Sequence, residues 1–217
     1  MSEATRTRII DAACGCFADR GWAKTSNGDI ARAAGLTTGA LYHYFPSKAA
    51  LFAAVHRHVQ GILLDVYQQA FREQGSCVAQ LCAGLEAALA LIGEHPTLAH
   101  FASIASLEIE RHPELSAILA PDTQGIRPFF ARVLAAGRRR GEIARDVDTE
   151  AVVNVLVSSL FGLAWLRSQV GRREDYAAAI RAFQRLLQGA LFASPGTSGR
   201  APGRTTSRVL CGNRLPR

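Results

Sequence analysis

The chain has 217 residues, of which 48% are apolar and 20% charged, enough for a packed core and too apolar for a disordered chain. Its formal charge of +7 is uneven, with +3 over residues 1–58, −1 over 59–193 and +5 over 194–217, which suits contact between one end and an anionic polymer. The five cysteines, Cys14, Cys16, Cys77, Cys82 and Cys211, are odd in number and form no CxxC pair, which excludes a disulfide framework or a thiolate zinc site and fits reduced thiols in the cytoplasm.

Nearly every apolar pattern has the helical period and strand-like alternation is missing, so an all-α fold is expected. Charged Glu3, Arg6, Arg8 and Asp11 interrupt the N-terminus and exclude a secretory signal. The spacing predicts a first helix over 5–20, with Ile9, Ile10, Ala13, Cys14 and Phe17 on one stripe, Gly21 as its stop and Trp22 covering its end. A short second helix starts at Ser26, where Asp29 completes a capping box, and ends at Ala34, with Ile30 and Ala33 facing inward. The third carries 38–44 after Thr37 as its N-cap and stops at Phe45-Pro46. Ser47 caps a long fourth helix reaching about Phe71 and leading away from the first three.

Further helices are expected at about 77–94, 96–112 starting on Pro96, 122–140 ending at Gly141, 148–170 capped by Asp148, and 174–192. The apolar run 151–166 is shorter than the roughly 20 residues a membrane span requires and contains Asn154, Ser158 and Ser159, so no span is expected. Residues 194–217 are rich in Gly, Pro, Ser, Thr and Arg without any acidic residue, and are expected to form a basic disordered tail.

Two short helices joined by Ala34-Gly35-Leu36-Thr37 have the dimensions of a helix-turn-helix: Gly35 takes a left-handed turn and Leu36 plugs the junction. The N-terminal part of the second helix enters a major groove in such motifs, so Thr37, Thr38, Gly39, Ala40, Tyr42 and His43 are candidate DNA contacts. Tyr42 and Lys48 are expected to clamp phosphates, while Leu41 and Phe45 belong to the core beneath.

The run Gly21-Trp22, Thr25-Ser26, Asp29-Ile30-Ala31, Ala33-Ala34-Gly35-Leu36-Thr37, Gly39, Leu41-Tyr42-His43-Tyr44-Phe45 and Lys48-Ala49-Ala50-Leu51-Phe52 resembles the TetR family of transcriptional regulators. The resemblance covers about residues 5–55. It implies a homodimer with two DNA-binding heads and a divergent body that binds a small effector, with repression relieved when the effector changes the spacing of the heads. It also implies that Thr25, Thr37, Thr38, Gly39, Tyr42, His43 and Lys48 stand where the family commonly approaches DNA. Asn27 departs from the pattern where an apolar residue is usual, and Gly28 where a basic or polar one is, which shifts expected phosphate contacts toward Lys48, Arg6, Arg8 or Lys24.

On this basis residues 1–50 form the DNA-binding domain, 51–193 the helical effector-binding and dimerisation domain, and 194–217 the tail. Dimerisation is expected through the last two helices, by Leu156, Leu160, Phe183, Leu187 and Leu191, with Ser158, Ser159 and Gly162 permitting close approach. Phe101, Ile104, Glu108, Phe129, Phe130, Phe161 and Trp165 are the expected effector lining. A twofold pair of heads suits a palindromic operator in double-stranded DNA. No cofactor, metal site or membrane partner is expected, since His95 and His100 lack ligand spacing. Nor is enzymatic activity, because nucleophile elbow, phosphate loop and paired-carboxylate motifs are missing.

Overall fold

A computed structural model describes residues 2–119, 125–169 and 173–190, and every regular element among them is a helix. In chain order these are α1 (Glu3–Lys24), α2 (Asn27–Ala33), α3 (Thr38–Tyr44), α4 (Lys48–Phe71), α5 (Cys77–Glu94), α6 (Pro96–Arg111), α7 (Pro113–Ile118), α8 (Ile126–Arg139), α9 (Thr149–Gln169) and α10 (Arg173–Leu187). The basic tail, with Cys211, and Leu191 lie outside the described residues.

Local chemistry sets most helix ends. Ser26, Thr37, Ser47 and Ser76 each accept a backbone N–H from the third residue of the helix they precede, which satisfies one of the four donors left unpaired there. Gly21 does not end α1 outright: it kinks it at φ 73, ψ 177, and one more turn runs to Lys24. The short α7 was not foreseen. It begins on Pro113, immediately after α6 ends at Arg111, so its six residues read in sequence as a loop.

The first four helices share a core with the body. Ile9, Phe17, Trp22, Ile30, Leu41 and Phe45 pack with Phe52 and Val55 of α4, Phe101 of α6 and Leu115 of α7. Ring contacts run from Phe17 to Phe52 (5.1 Å), from Trp22 to Phe52 (5.6 Å) and from Phe52 to Phe101 (5.3 Å). Each such ring contributes roughly 1.5–3 kcal/mol by leaving water. On α2 the inward face is Ile30, Ala31 and Ala34, whereas Ala33, expected inside, is exposed. The inward stripe follows i, i+1 and i+4 from Ile30, which turns Ala33 to solvent.

Beyond that core, α4 continues into a second cluster in which Tyr67 and Phe71 meet Phe129, Phe130, Val153 and Leu156. A third joins Leu85, Ile92 and Ala99 to Tyr176 and Ile180. Helices α5 and α9 each hold an 18-residue window of mean hydropathy 1.5, long and apolar enough for a span by length and composition alone. In α5, 44% of that window is buried in the protein, but in α9 only 11% is.

Candidate DNA interface and effector cavity

The three short helices are held in place by closely spaced local bonds. In the capping box, the Ser26 hydroxyl accepts the Asp29 N–H at 3.1 Å, and the Asp29 carboxylate accepts from the Ser26 hydroxyl at 2.6 Å and its N–H at 3.2 Å. Those bonds, the hydroxyl's first, hold the Asp29 carboxyl below the usual carboxylate range. At the other end of α2, Gly35 at φ 66 lets the Leu36 N–H reach the Ala31 carbonyl (2.8 Å) and its own N–H the Arg32 carbonyl (3.1 Å). This closing pattern at the end of α2 directs the chain into α3. Leu41 (1% exposed) and Phe45 (5%) then anchor the underside of α3.

The opposite side of α3 faces solvent. Thr37, Thr38, Gly39, Tyr42 and His43 are exposed and Ala40 is half-buried. The Thr37 hydroxyl is engaged as cap to the Ala40 N–H at 3.2 Å. A Cβ on Gly39 would meet nothing nearer than the Thr37 hydroxyl at 4.0 Å, so the fold itself does not require glycine there. Tyr42 is 50% exposed, and its hydroxyl accepts a hydrogen bond from the Asn27 amide at 2.9 Å. The departure at Asn27 therefore steadies Tyr42 from the neighbouring helix, and leaves the phenol's own proton to donate outward. On the rim, the Arg6 guanidinium lies over the Phe45 ring at 5.4 Å.

Two expected DNA contacts are occupied inside the protein. Thr25 is 2% exposed, and its hydroxyl donates to the Gly21 carbonyl at 2.7 Å, with the Cys16 carbonyl at 3.1 Å. The Lys48 ammonium donates to the carbonyls of Trp22 (2.8 Å) and Thr25 (3.0 Å) and sits 4.1 Å from the centre of the Trp22 ring. Burial lowers the Lys48 pKa, while the Glu114 and Glu108 carboxylates pull it the other way. The kink at Gly21 leaves the carbonyls at the end of α1 free for both side chains, which turn inward to bond them.

The same corner ties the head to α6 and α7. The Trp22 indole donates to Glu114 at 3.1 Å, and the His112 ring lies between the carboxylates of Glu108 (3.3 Å) and Glu114 (3.8 Å). Glu108, expected in an effector pocket, belongs to this junction instead. The Glu114 carboxyl is held low by its own backbone N–H, then by the indole and by His112 and Lys48.

A small apolar cavity with an open mouth lies in the body between α4, α5, α6, α8, α9 and α10. Of the expected lining residues only Phe161 borders it; the wall is otherwise built mainly from Leu63, Tyr67, Leu85, Ala88, Leu91, Ile92, Leu160, Tyr176 and Ile180. Phe101, 0% exposed, is consumed in joining body to head, and Phe129 and Phe130 close the far end against Tyr67 and Phe71. Ile104 is half-buried away from the cavity wall, and Trp165 is 58% exposed on the outside of α9. Gln60 and Tyr67 were missed; their spacing with Leu63 on one face of α4, polar atoms within an apolar stripe, was the available signal.

Residues 9–55 match the family model described as bacterial regulatory proteins, tetR family. The HTH-type transcriptional repressor KstR2 of Rhodococcus jostii is 30% identical over 166 residues, spanning 75% of this chain and 79% of the relative. The chain belongs to the TetR family. It is accordingly a DNA-binding transcriptional regulator. The HTH-type transcriptional regulator UidR of Escherichia coli is 28% identical across 89% of this chain and 96% of its own. Among solved structures, Salmonella enterica GusR superposes with a TM-score of 0.71 at 27% identity, covering 88% of this chain and 98% of that one.

For a TetR-family chain the outer surface of the last two helices is of interest, and the structure corrects which residues form it. Leu156 is 5% exposed and lies within the core, while Leu160, Phe183 and Leu187 are half-buried and pack against the body's own clusters. The outward stripe on α9 is instead Ala151, Asn154, Val155, Ser158, Gly162 and Trp165, with Ala178, Ala182 and Leu186 exposed on α10. Cys14 is buried, and burial pushes its thiol up to about 12. Among the described residues no cluster of three or more His, Cys, Asp or Glu side chains is arranged to hold a metal ion.

Proposed function

We propose that this TetR-family regulator is a cytoplasmic homodimeric repressor. Its two α3 helices read a palindromic operator in double-stranded DNA, and a small, largely apolar effector entering the body cavity releases it. The single observation that carries the DNA-binding part is α3 itself. It is an exposed face of Thr38, Gly39, Tyr42 and His43, mounted on Leu41 and Phe45 and braced by Asn27. Thr37 contributes as cap of α3, Thr25 and Lys48 hold its platform, and phosphate contacts fall to Tyr42, Arg6 and Arg8.

Dimerisation through the outer stripe of α9 and α10 is supported by the low burial of an apolar window there. Release by an effector is supported by the cavity's wall, since α4 lines it with Gln60, Leu63 and Tyr67 and carries Leu51, Phe52 and Val55 into the core of the head. The protein acts by binding and performs no catalysis. Footprinting on the DNA flanking its own gene tests this: protection of a palindrome with half-sites ~34–36 Å apart is expected. Equal affinity for random duplex at physiological salt would refute it.

A further inference from the structure

One side chain on the cavity wall is not accounted for by packing. Tyr67 is 4% exposed, and its ring is held by Phe71, Phe129 and Phe130. Its hydroxyl forms no hydrogen bond among the described residues. The phenol oxygen is not among the fully enclosed polar atoms that lack a partner, so it keeps contact with open space on the wall it lines, where a phenylalanine would present no donor.

The rest of the wall restricts what that hydroxyl could meet. Among the described residues none that lines it is Lys, Arg, Asp, Glu or His, and besides Tyr67 only the half-buried Gln60 and the buried Tyr176 offer polar side-chain atoms there. A carboxylate or phosphate drawn into such a space would lose its hydration with no cation to replace it. An uncharged oxygen needs only one donor.

We propose that the effector is an uncharged, predominantly apolar molecule whose carbonyl or hydroxyl oxygen accepts a hydrogen bond from Tyr67. This rests on the cavity being the effector site, and it narrows the ligand to neutral ketones, esters, lactones or alcohols. Apolar area provides the binding, and the phenol distinguishes an oxygenated ligand from a plain hydrocarbon.

The test uses the full-length protein and three probes of similar size: toluene, acetophenone and benzoate, with binding followed by calorimetry and thermal shift at neutral pH. Acetophenone should bind at least tenfold more tightly than benzoate. Tyr67→Phe should weaken acetophenone about three- to tenfold, leave toluene unchanged and melt no lower than the parent without ligand. Benzoate binding as tightly as acetophenone, no binding of acetophenone, an unaltered ratio of acetophenone to toluene in Tyr67→Phe, or a marked drop in its melting temperature would each overturn the assignment. Ala88→Phe and, should that fail to fold, Ala164→Phe fill the space and should abolish binding of all three. Undiminished acetophenone binding in a folded filled variant overturns the cavity as the effector site. Loss there, together with a preference for benzoate in the parent, overturns the ligand class alone.

Discussion

Gly21, at the kink of α1, and Gly39, inside α3, serve different purposes. At Gly21, φ 73 and ψ 177 lie in a region that side chains with a Cβ scarcely enter, and an added Cβ would come within 2.9 Å of the Glu108 carboxylate. Gly21→Ala should therefore destabilise the protein by roughly 2 kcal/mol or more, read as a fall in the chemical denaturation midpoint. At Gly39 there is room and ordinary helical backbone. Gly39→Ala should raise stability by about 0.5–1 kcal/mol while weakening operator binding, because only the DNA needs that space. Operator affinity retained in Gly39→Ala would remove it from the contact surface. Sequence alone distinguished neither case, since φ and neighbouring atoms decide them. Thr25, placed among DNA contacts by the family resemblance, and Lys48, read as a phosphate clamp, both bond carbonyls at the α1 kink, which neither the resemblance nor local spacing shows.

Helix ends were legible because their determinants lie within four residues of one another. Ser26 with Asp29, Thr37, Ser47 and Pro96 all mark the boundaries found. Ser26→Ala should cost about 1 kcal/mol and loosen α2. The same bonds depress the folded Asp29 pKa, so its contribution is present above the ordinary carboxylate range and lost as pH falls through that range and below. Unfolding midpoints of the parent and Asp29→Asn should accordingly converge in acid and separate toward neutrality. Helix faces were less legible. In α9 nearly every position is apolar, so periodicity could not say which side the body would take; Val153, Leu156 and Leu160 went inward to meet Tyr67, Phe130 and Leu85, while Trp165 stayed outside. The aromatic residues of α6 and α8 were likewise plausible pocket walls until tertiary packing assigned them to seams.

For the whole molecule, the all-α class and the reading helix followed from sequence, whereas the cavity, a product of six helices, did not. The outer stripe of α9 and α10 yields the remaining prediction. Val155 is 62% and Leu186 49% exposed, so charging both as Val155→Glu and Leu186→Glu should leave the protomer folded by circular dichroism. The same pair should halve the mass seen in analytical ultracentrifugation and sharply reduce operator affinity. An unchanged sedimentation mass would move the interface elsewhere.

The core that unites Phe52 of α4 with Phe101 of α6 and Leu115 of α7 gives the reading head no loop on which to swivel. A lean of α4 would therefore carry the head with it. Over the ~36 Å length of a 24-residue helix, an inclination of about five degrees displaces the far end by ~3 Å, close to the rise of one base step. In the proposed release, a lever of that length would convert a small disturbance at the cavity into a whole-step misfit with the groove.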